Sequence, residues 1–134
     1  MRKRLLLFPT FITLSWSTAH IAQATLKPWQ TISAAWSNAT HVDLFATNAS
    51  GEVVSTWWDG GCRWQPWFLI HPEVKMQPGA TVTAIWRSNH THLDLFVTGT
   101  DGAVESTWWE GQPGWQKWFV IHPEVRSCAY GVGK

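Results

Sequence analysis

Neither sign of charge is in excess in this 134-residue chain, where Lys and Arg number 10 against 9 for Asp and Glu and the formal net charge is +1. Without a basic surplus there is no long-range field to draw it to nucleic acid or an anionic membrane, and a neutral partner fits better. Cysteine is scarce, and the 2 present, Cys62 and Cys128, do not make a disulfide framework. A Cys62–Cys128 bridge, an intermolecular bridge and two free thiols all remain compatible with an oxidising compartment. No Cys stands at ligand spacing from another Cys or from a His, which leaves no metal site, and nothing implies a cofactor. Long apolar runs are missing as well: Leu5 to Leu14 is interrupted by Pro9 and falls well short of the roughly 20 residues that span a bilayer, so no membrane insertion is expected. Also absent is the Gly-x-Ser-x-Gly elbow of a serine hydrolase. Tyrosine occurs once, whereas tryptophan occurs 12 times. Indole joins a large apolar face to one N–H donor, a chemistry suited to stacking.

The start of the chain reads differently from the rest. Met1-Arg2-Lys3-Arg4 is basic, the apolar stretch follows, and Ala22-Gln23-Ala24 offers small residues at a cleavage site. This three-part layout is that of a secretory signal peptide over residues 1–24, and it predicts a secreted, extracellular protein.

The remaining residues are dominated by a repeat. Ser37 to Phe45 returns as Ser88 to Phe96, a spacing of 51 from Asp43 to Asp94. Ser55-Thr56-Trp57-Trp58 returns as Ser106-Thr107-Trp108-Trp109, Trp64 and Trp67 as Trp115 and Trp118, and His71-Pro72-Glu73-Val74 as His122-Pro123-Glu124-Val125. Trp36 returns as Trp86, one residue out of step. Five tryptophans per unit account for ten of the twelve, so the tryptophan excess belongs to the repeat.

Each unit holds four short β-rich stretches, none of helical period, which in the second copy are Val82–Arg87, His92–Thr98, Ala103–Trp109 and Trp115–Ile121. Asn48 to Gly51 and Gly99 to Gly102 supply hairpin turns, Gly111 to Gly114 breaks the next pair, and His71 to Ala80 crosses to the following unit. Four antiparallel strands repeating at about 40–50 residues describe a propeller blade. The expected fold is therefore all-β: one blade over residues 36–80, another over 81–125, a remnant of a preceding blade over 25–35, where Pro28 to Ile32 resembles Pro66 to Ile70, and an unpatterned tail over 126–134. Propellers close with about 4–8 blades, so two and a remnant form an incomplete ring. Either several copies assemble as a homo-oligomer or the chain is a fragment of a longer product, and the unpatterned tail tips the expectation toward the fragment.

Strand alternation sends neighbouring indoles to opposite faces, so in the pairs Trp57-Trp58 and Trp108-Trp109 one ring can be core while the other binds. Sugar C–H faces pack on indole and sugar hydroxyls want carboxylates, which makes Asp59 and Glu110, directly after the pairs, candidate companions. Trp64 and Trp115 follow Gly/Pro loops and are candidates to join the same site, whereas Trp67 and Trp118 are expected to pack. Asp43 and Asp94, mid-strand between apolar neighbours, are expected to be buried structural carboxylates tying strands together, and Arg87 a solvated edge charge. The His71-Pro72-Glu73 and His122-Pro123-Glu124 motifs invite a hydrolase reading. Because each repeat offers the same residues with no unique carboxylate dyad, an ordered turn between units and a protein that is not an enzyme are expected instead. Asn38, Asn48 and Asn89 head glycosylation sequons in hairpin loops.

The stretches Leu93–Val104, Ser106–Trp109 and Gly114–Phe119 resemble the blade motif of PLL-like seven-bladed β-propeller lectins, a likeness covering Trp36 to Val125 in two copies. The resemblance implies a glycan-binding protein with sugar sites in clefts between blades, often preferring fucose or O-methylated sugars. On that basis Trp57, Trp58, Asp59, Trp64, Trp108, Trp109, Glu110 and Trp115 are the candidate carbohydrate-binding residues and glycans the expected partner. A structural or protein-interaction propeller module, or a non-catalytic fragment of a larger secreted protein, is the alternative.

Overall fold

The computed structural model describes residues 26–87 and 89–121. The signal segment 1–24, the tail 126–134, Cys128 and the His122-Pro123-Glu124 motif lie outside the described residues.

Alternating β-branched and aromatic residues, punctuated by Asn/Gly turns, give eight strands and no helix among the described residues: β1 (Ser33–Asn38), β2 (His41–Thr47), β3 (Val53–Trp58), β4 (Phe68–Ile70), β5 (Thr83–Trp86), β6 (Leu93–Thr98), β7 (Val104–Trp109) and β8 (Phe119–Ile121). They form two four-stranded antiparallel sheets in sequential order, β1-β2-β3-β4 and β5-β6-β7-β8, which do not close into a ring. This is the incomplete arrangement of blades that the repeat predicts. β1 begins at Ser33, paired with Phe45, so the segment 25–35 contains the start of the first sheet. The residues before it hold a turn closed by Gln30 N–H on the Lys27 carbonyl (3.0 Å).

The fourth strands are shorter than their sequence pattern. In the second sheet Trp115 makes only an isolated bridge to Trp109, and regular pairing starts at Phe119 opposite Ser106. Between them Thr107 Oγ1 donates to the Gln116 carbonyl, and Gln116 N–H donates to the Trp108 carbonyl (2.9 Å). A side-chain bond thus holds a segment that carries no continuous ladder. Thr56 and Gln65 repeat this device in the first sheet.

Turn chemistry differs between the copies. In the first, Asn48 is buried in the β2–β3 hairpin, its Oδ1 accepting from Ser50 N–H and Glu52 N–H (2.9 Å each) and its Nδ2 donating to Glu52 Oε2 (2.8 Å). Gly99 takes its place in the second copy, where Asp101 Oδ1 accepts from Ala103 N–H instead (3.0 Å). Of the three sequons, the one headed by Asn48 therefore has its amide buried and occupied, while Asn38 and Asn89 are exposed. Losing three bonds and leaving two backbone donors unmet, Asn48→Ala should lower stability by about 2 kcal/mol. The check is a lower urea midpoint at unchanged slope, against Asn89→Ala, which should stay within about 0.5 kcal/mol.

The sheets pack face to face. Phe45, Val53 and Ile70 of the first meet Leu93, Leu95 and Val97 of the second, with Met76 and Val82 of the crossing segment fully buried between them. The first strands, β1 and β5, approach most closely, where side chains are small (Ala35, Ala84) and Ser33 Oγ donates to the Val82 carbonyl. Farther out the gap is filled by larger groups, among them Phe68, Trp115 and Trp118, with Trp115 edge-on to Phe45 at 6.0 Å. Small residues at one edge and aromatics toward the other make the two sheets a wedge.

The crossing segment locks this wedge. Met76 N–H donates to the Gly51 carbonyl (2.8 Å) and Gln77 N–H to the Thr98 carbonyl (3.0 Å), so it is stitched to one hairpin of each sheet. His71 opens it with Nε2 facing the Trp115 carbonyl (3.1 Å) and Nδ1 facing Glu73 Oε1 (2.9 Å), and Val74 N–H closes a turn on the His71 carbonyl (3.1 Å).

Candidate functional site

Strand register decides which side chains can share a site. Asp43 lies opposite Trp57, while Phe45, Ser55 and Phe68 lie in line, and all five occupy the face of the first sheet that meets the second. Trp86 and Leu93 are paired, Leu93 lies opposite Trp109, and these three occupy the facing surface of the second sheet. Between the two surfaces is a cavity of about 300 Å³, lined from the first sheet by His41, Asp43, Ser55, Trp57 and Phe68 and from the second by Trp86, Leu93, Trp109 and Trp115.

Its walls are held by aromatic edges. Trp57 sits edge-on to Phe68 (5.6 Å between ring centres) and Trp86 edge-on to Trp109 (6.0 Å), an arrangement that fixes each ring through its neighbour. Trp115 is pinned by Phe45 and by the bond from His71.

The polar content is sparse and unbalanced. His41 Nε2 donates to Asp43 Oδ1 (3.3 Å), two residues along the same strand. Asp43 Oδ2 and the Trp86 Nε1–H are buried and lie near each other, without forming a hydrogen bond of good geometry. Burial pushes the Asp43 carboxyl above its ordinary value, outweighing the opposing influence of His41 and of the nearby Trp86 indole N–H. A buried acceptor and a buried donor thus stand poorly satisfied beside each other at one aromatic cavity, at a cost below the roughly 1–3 kcal/mol that a wholly unmet buried group carries.

Asp43 is buried as its mid-strand position predicts, but its bond to His41 stays within one strand. The counterpart Asp94 does tie strands: Oδ2 meets Arg87 Nε, just beyond β5, at 3.3 Å and Oδ1 meets His92 Nε2 at 3.0 Å. Arg87 is exposed yet ion-paired, so it is more than a solvated edge charge.

Of the eight residues singled out in the sequence, the cavity gathers Trp57, Trp109 and Trp115. Trp58 points to the opposite face, its Nε1–H bonded to the Gly61 carbonyl (2.7 Å). Trp64 is exposed, and Asp59 sits in the following loop with Oδ1 accepting from Gly61 N–H (3.2 Å). Trp108 occupies the far face of the second sheet, stacked on His92 (6.1 Å, 13°). Glu110 approaches His92 Nδ1 (3.2 Å) and borders a separate polar hollow of about 400 Å³ with Arg87, Asn89 and Gln112. The indoles of each Trp-Trp pair therefore belong to different surfaces, and one from each pair meets in the cavity. His41, Asp43, Ser55 and Trp86 were not among the candidates; the alternation that places Asp43 and Trp57 on one face was the available signal.

Cys62 is exposed, outside this site, and has no disulfide partner among the described residues. No protein-family model and no curated protein matches this chain.

Proposed function

We propose that the chain is a secreted carbohydrate-binding protein of the propeller-lectin type, with a sugar held in the cavity between its two sheets. One observation carries this: indole walls enclose an acceptor, Asp43 Oδ2, and a donor, Trp86 Nε1–H, that lie near each other without completing a good hydrogen bond. A sugar hydroxyl both donates and accepts, so one ring edge satisfies both atoms while its C–H face rests on indole. A volume near 300 Å³ lies at the small end of ligand pockets, which run roughly 300–1,000 Å³, and suits a mono- or disaccharide unit.

The lining is chiefly Trp57, Phe68, Trp86, Trp109 and Trp115, with few polar groups, which favours a sugar bearing a methyl substituent. Fucose-type and O-methylated sugars have that character, and they are what the likeness to PLL-like lectins leads one to expect. Binding without turnover accords with Asp43 being the only carboxylate among the lining residues, where a glycosidase sets two about the scissile bond. The basic-then-apolar start supports export.

Titration of the purified chain with neutral monosaccharides, fucose and O-methyl sugars included, tests the reading by calorimetry. Saturable binding is expected, weakened about 10–100-fold by Trp57→Ala, equivalent to about 1.4–2.8 kcal/mol. Trp29→Ala, an exposed indole ahead of β1, should leave affinity unchanged. Absence of binding to every sugar, or equal loss in both variants, would sink the proposal.

A further inference from the structure

One wall of the cavity is held from outside its own sheet. His71, at the end of β4, turns Nε2 to the Trp115 carbonyl at 3.1 Å, 44 residues further along the chain, and Nδ1 to Glu73 Oε1 at 2.9 Å. Trp115 needs this hold, because it bridges Trp109 in isolation and has no continuous ladder about it. Its copy in the first repeat shows the difference. Trp64 accepts no such bond among the described residues and stands 48% exposed, whereas Trp115 lies packed against the core. The same corner is touched again by Trp118, whose Nε1–H reaches the Ile70 carbonyl at 3.5 Å.

The backbone of His71 is left-handed, at φ 47°. Gly and Asn adopt that conformation at less cost, so the turn by itself does not call for histidine. What the ring adds is reach and two nitrogens, both of which face oxygens. An imidazole with two protons donates on both sides, while one with a single proton donates on one side and turns a lone pair to the oxygen on the other. A carboxylate is a stronger acceptor than a carbonyl, so the singly protonated ring gives its proton to Glu73 and lets the Trp115 carbonyl go. Glu73 is charged whenever this choice arises: its own backbone N–H chiefly holds its carboxyl below the ordinary value, with His71 and Lys117 adding to the effect. Lys117 comes from the segment ahead of β8, and Lys75, further along the crossing segment, is taken up by Glu52 of the β2–β3 hairpin.

We propose that His71 is a positioning residue for the cavity, whose ring clasps the Trp115 wall when it carries two protons and releases it when it carries one. Mild acid then seats the wall and strengthens binding. The effect on sugar affinity rests on the carbohydrate-binding reading; the clasp itself does not.

Amide exchange of the free chain and calorimetry with sugar, each at about pH 5.5 and about pH 8, bracket the range in which imidazole titrates. Protection of Gln116 N–H, which donates to the Trp108 carbonyl directly after Trp115, reads the wall with no ligand present. In the wild type this protection, corrected for intrinsic exchange, should fall about tenfold from the lower pH to the higher, the weight of one hydrogen bond. Glu73→Gln takes away the carboxylate and offers an amide donor to Nδ1, so Nε2–H stays on Trp115 and protection should remain high at both pH values. His71→Asn suits the same backbone but is too short to reach, and protection should be low at both. Sugar affinity should follow the same three patterns over about 3–10-fold. His41 and Asp43 also line the cavity but are unchanged in all three chains, so their titration is common to them. Wild-type protection that ignores pH, or Glu73→Gln and His71→Asn behaving alike, overturns the proposal. The expected protection pattern without any sugar bound sustains the clasp and sinks the carbohydrate reading; sugar affinity identical in all three chains at both pH values sustains that reading and overturns the role of His71 in it.

Discussion

Gly51→Ala is expected to lower the stability of the chain by about 3–4 kcal/mol, a large part of the 5–15 kcal/mol that typically holds a domain together. Gly51 occupies the left-handed region at φ 78°, where an L side chain costs about 1–2 kcal/mol by itself. A Cβ there would lie 2.4 Å from the Met76 carbonyl oxygen, which is backbone and cannot rotate away. The segment carrying Met76 must then shift, loosening the bond from Met76 N–H to Gly51 and unseating a side chain that fills the space between the sheets. Gly111→Ala supplies the comparison: its φ of 91° is as strained, but nothing lies within 4 Å of the added carbon, so only the backbone cost of about 1–2 kcal/mol remains. Urea unfolding followed by tryptophan fluorescence measures both. Equal losses in the two variants would show that the crossing segment yields freely and that the wedge is not locked at Gly51.

The contrast between those glycines marks how far sequence reasoning carries in this protein. The 51-residue repeat and the period-two alternation contain both sheets, their strand order and the separation of Trp57 from Trp58, because all of these are local or near-local properties of a pleated chain. Gly51 is visible in the sequence as a turn glycine, but its contact with Met76 is not. That contact arises only when the crossing segment lies down between two hairpins, and periodicity says nothing about how a segment without periodicity is routed. The same limit governs the site. The resemblance to propeller lectins implied that tryptophans line clefts between units, and adjacency along the chain put Asp59 and Glu110 beside them. In the fold, adjacency across the chain replaced them with Asp43, next to Trp57 through strand pairing, and with Trp86, brought from the other sheet. Trp86 was the harder to anticipate, since one extra residue in the β5–β6 turn relative to the β1–β2 turn puts it out of step with the rest of the repeat.

Asp43→Asn should weaken sugar binding by about 10–100-fold, the loss of a charged hydrogen bond worth about 1.5–3 kcal/mol, while leaving the unliganded chain as stable as the wild type or more so at neutral pH. The stability half follows from linkage. Burial raises the folded-state carboxyl above its ordinary 3.8, so between that value and the raised one the folded chain holds more protons than the unfolded chain. Stability therefore falls as pH rises through this window and stays reduced above it, where the buried group is charged with Oδ2 poorly satisfied. Asn keeps the shape and carries no charge, so the variant's stability should be flat through the same window and the wild-type curve should descend toward it or below. Saturating sugar should restore the wild type above the variant at neutral pH, because a ligand bound only to the folded state adds its binding free energy to stability. An Asp43→Asn chain that is less stable at neutral pH, with sugar affinity intact, would instead make Asp43 a structural tie and separate it from recognition. The expected opposite outcome, stability kept and affinity lost, would mean that the carboxylate is held in a costly place for the sake of what it binds.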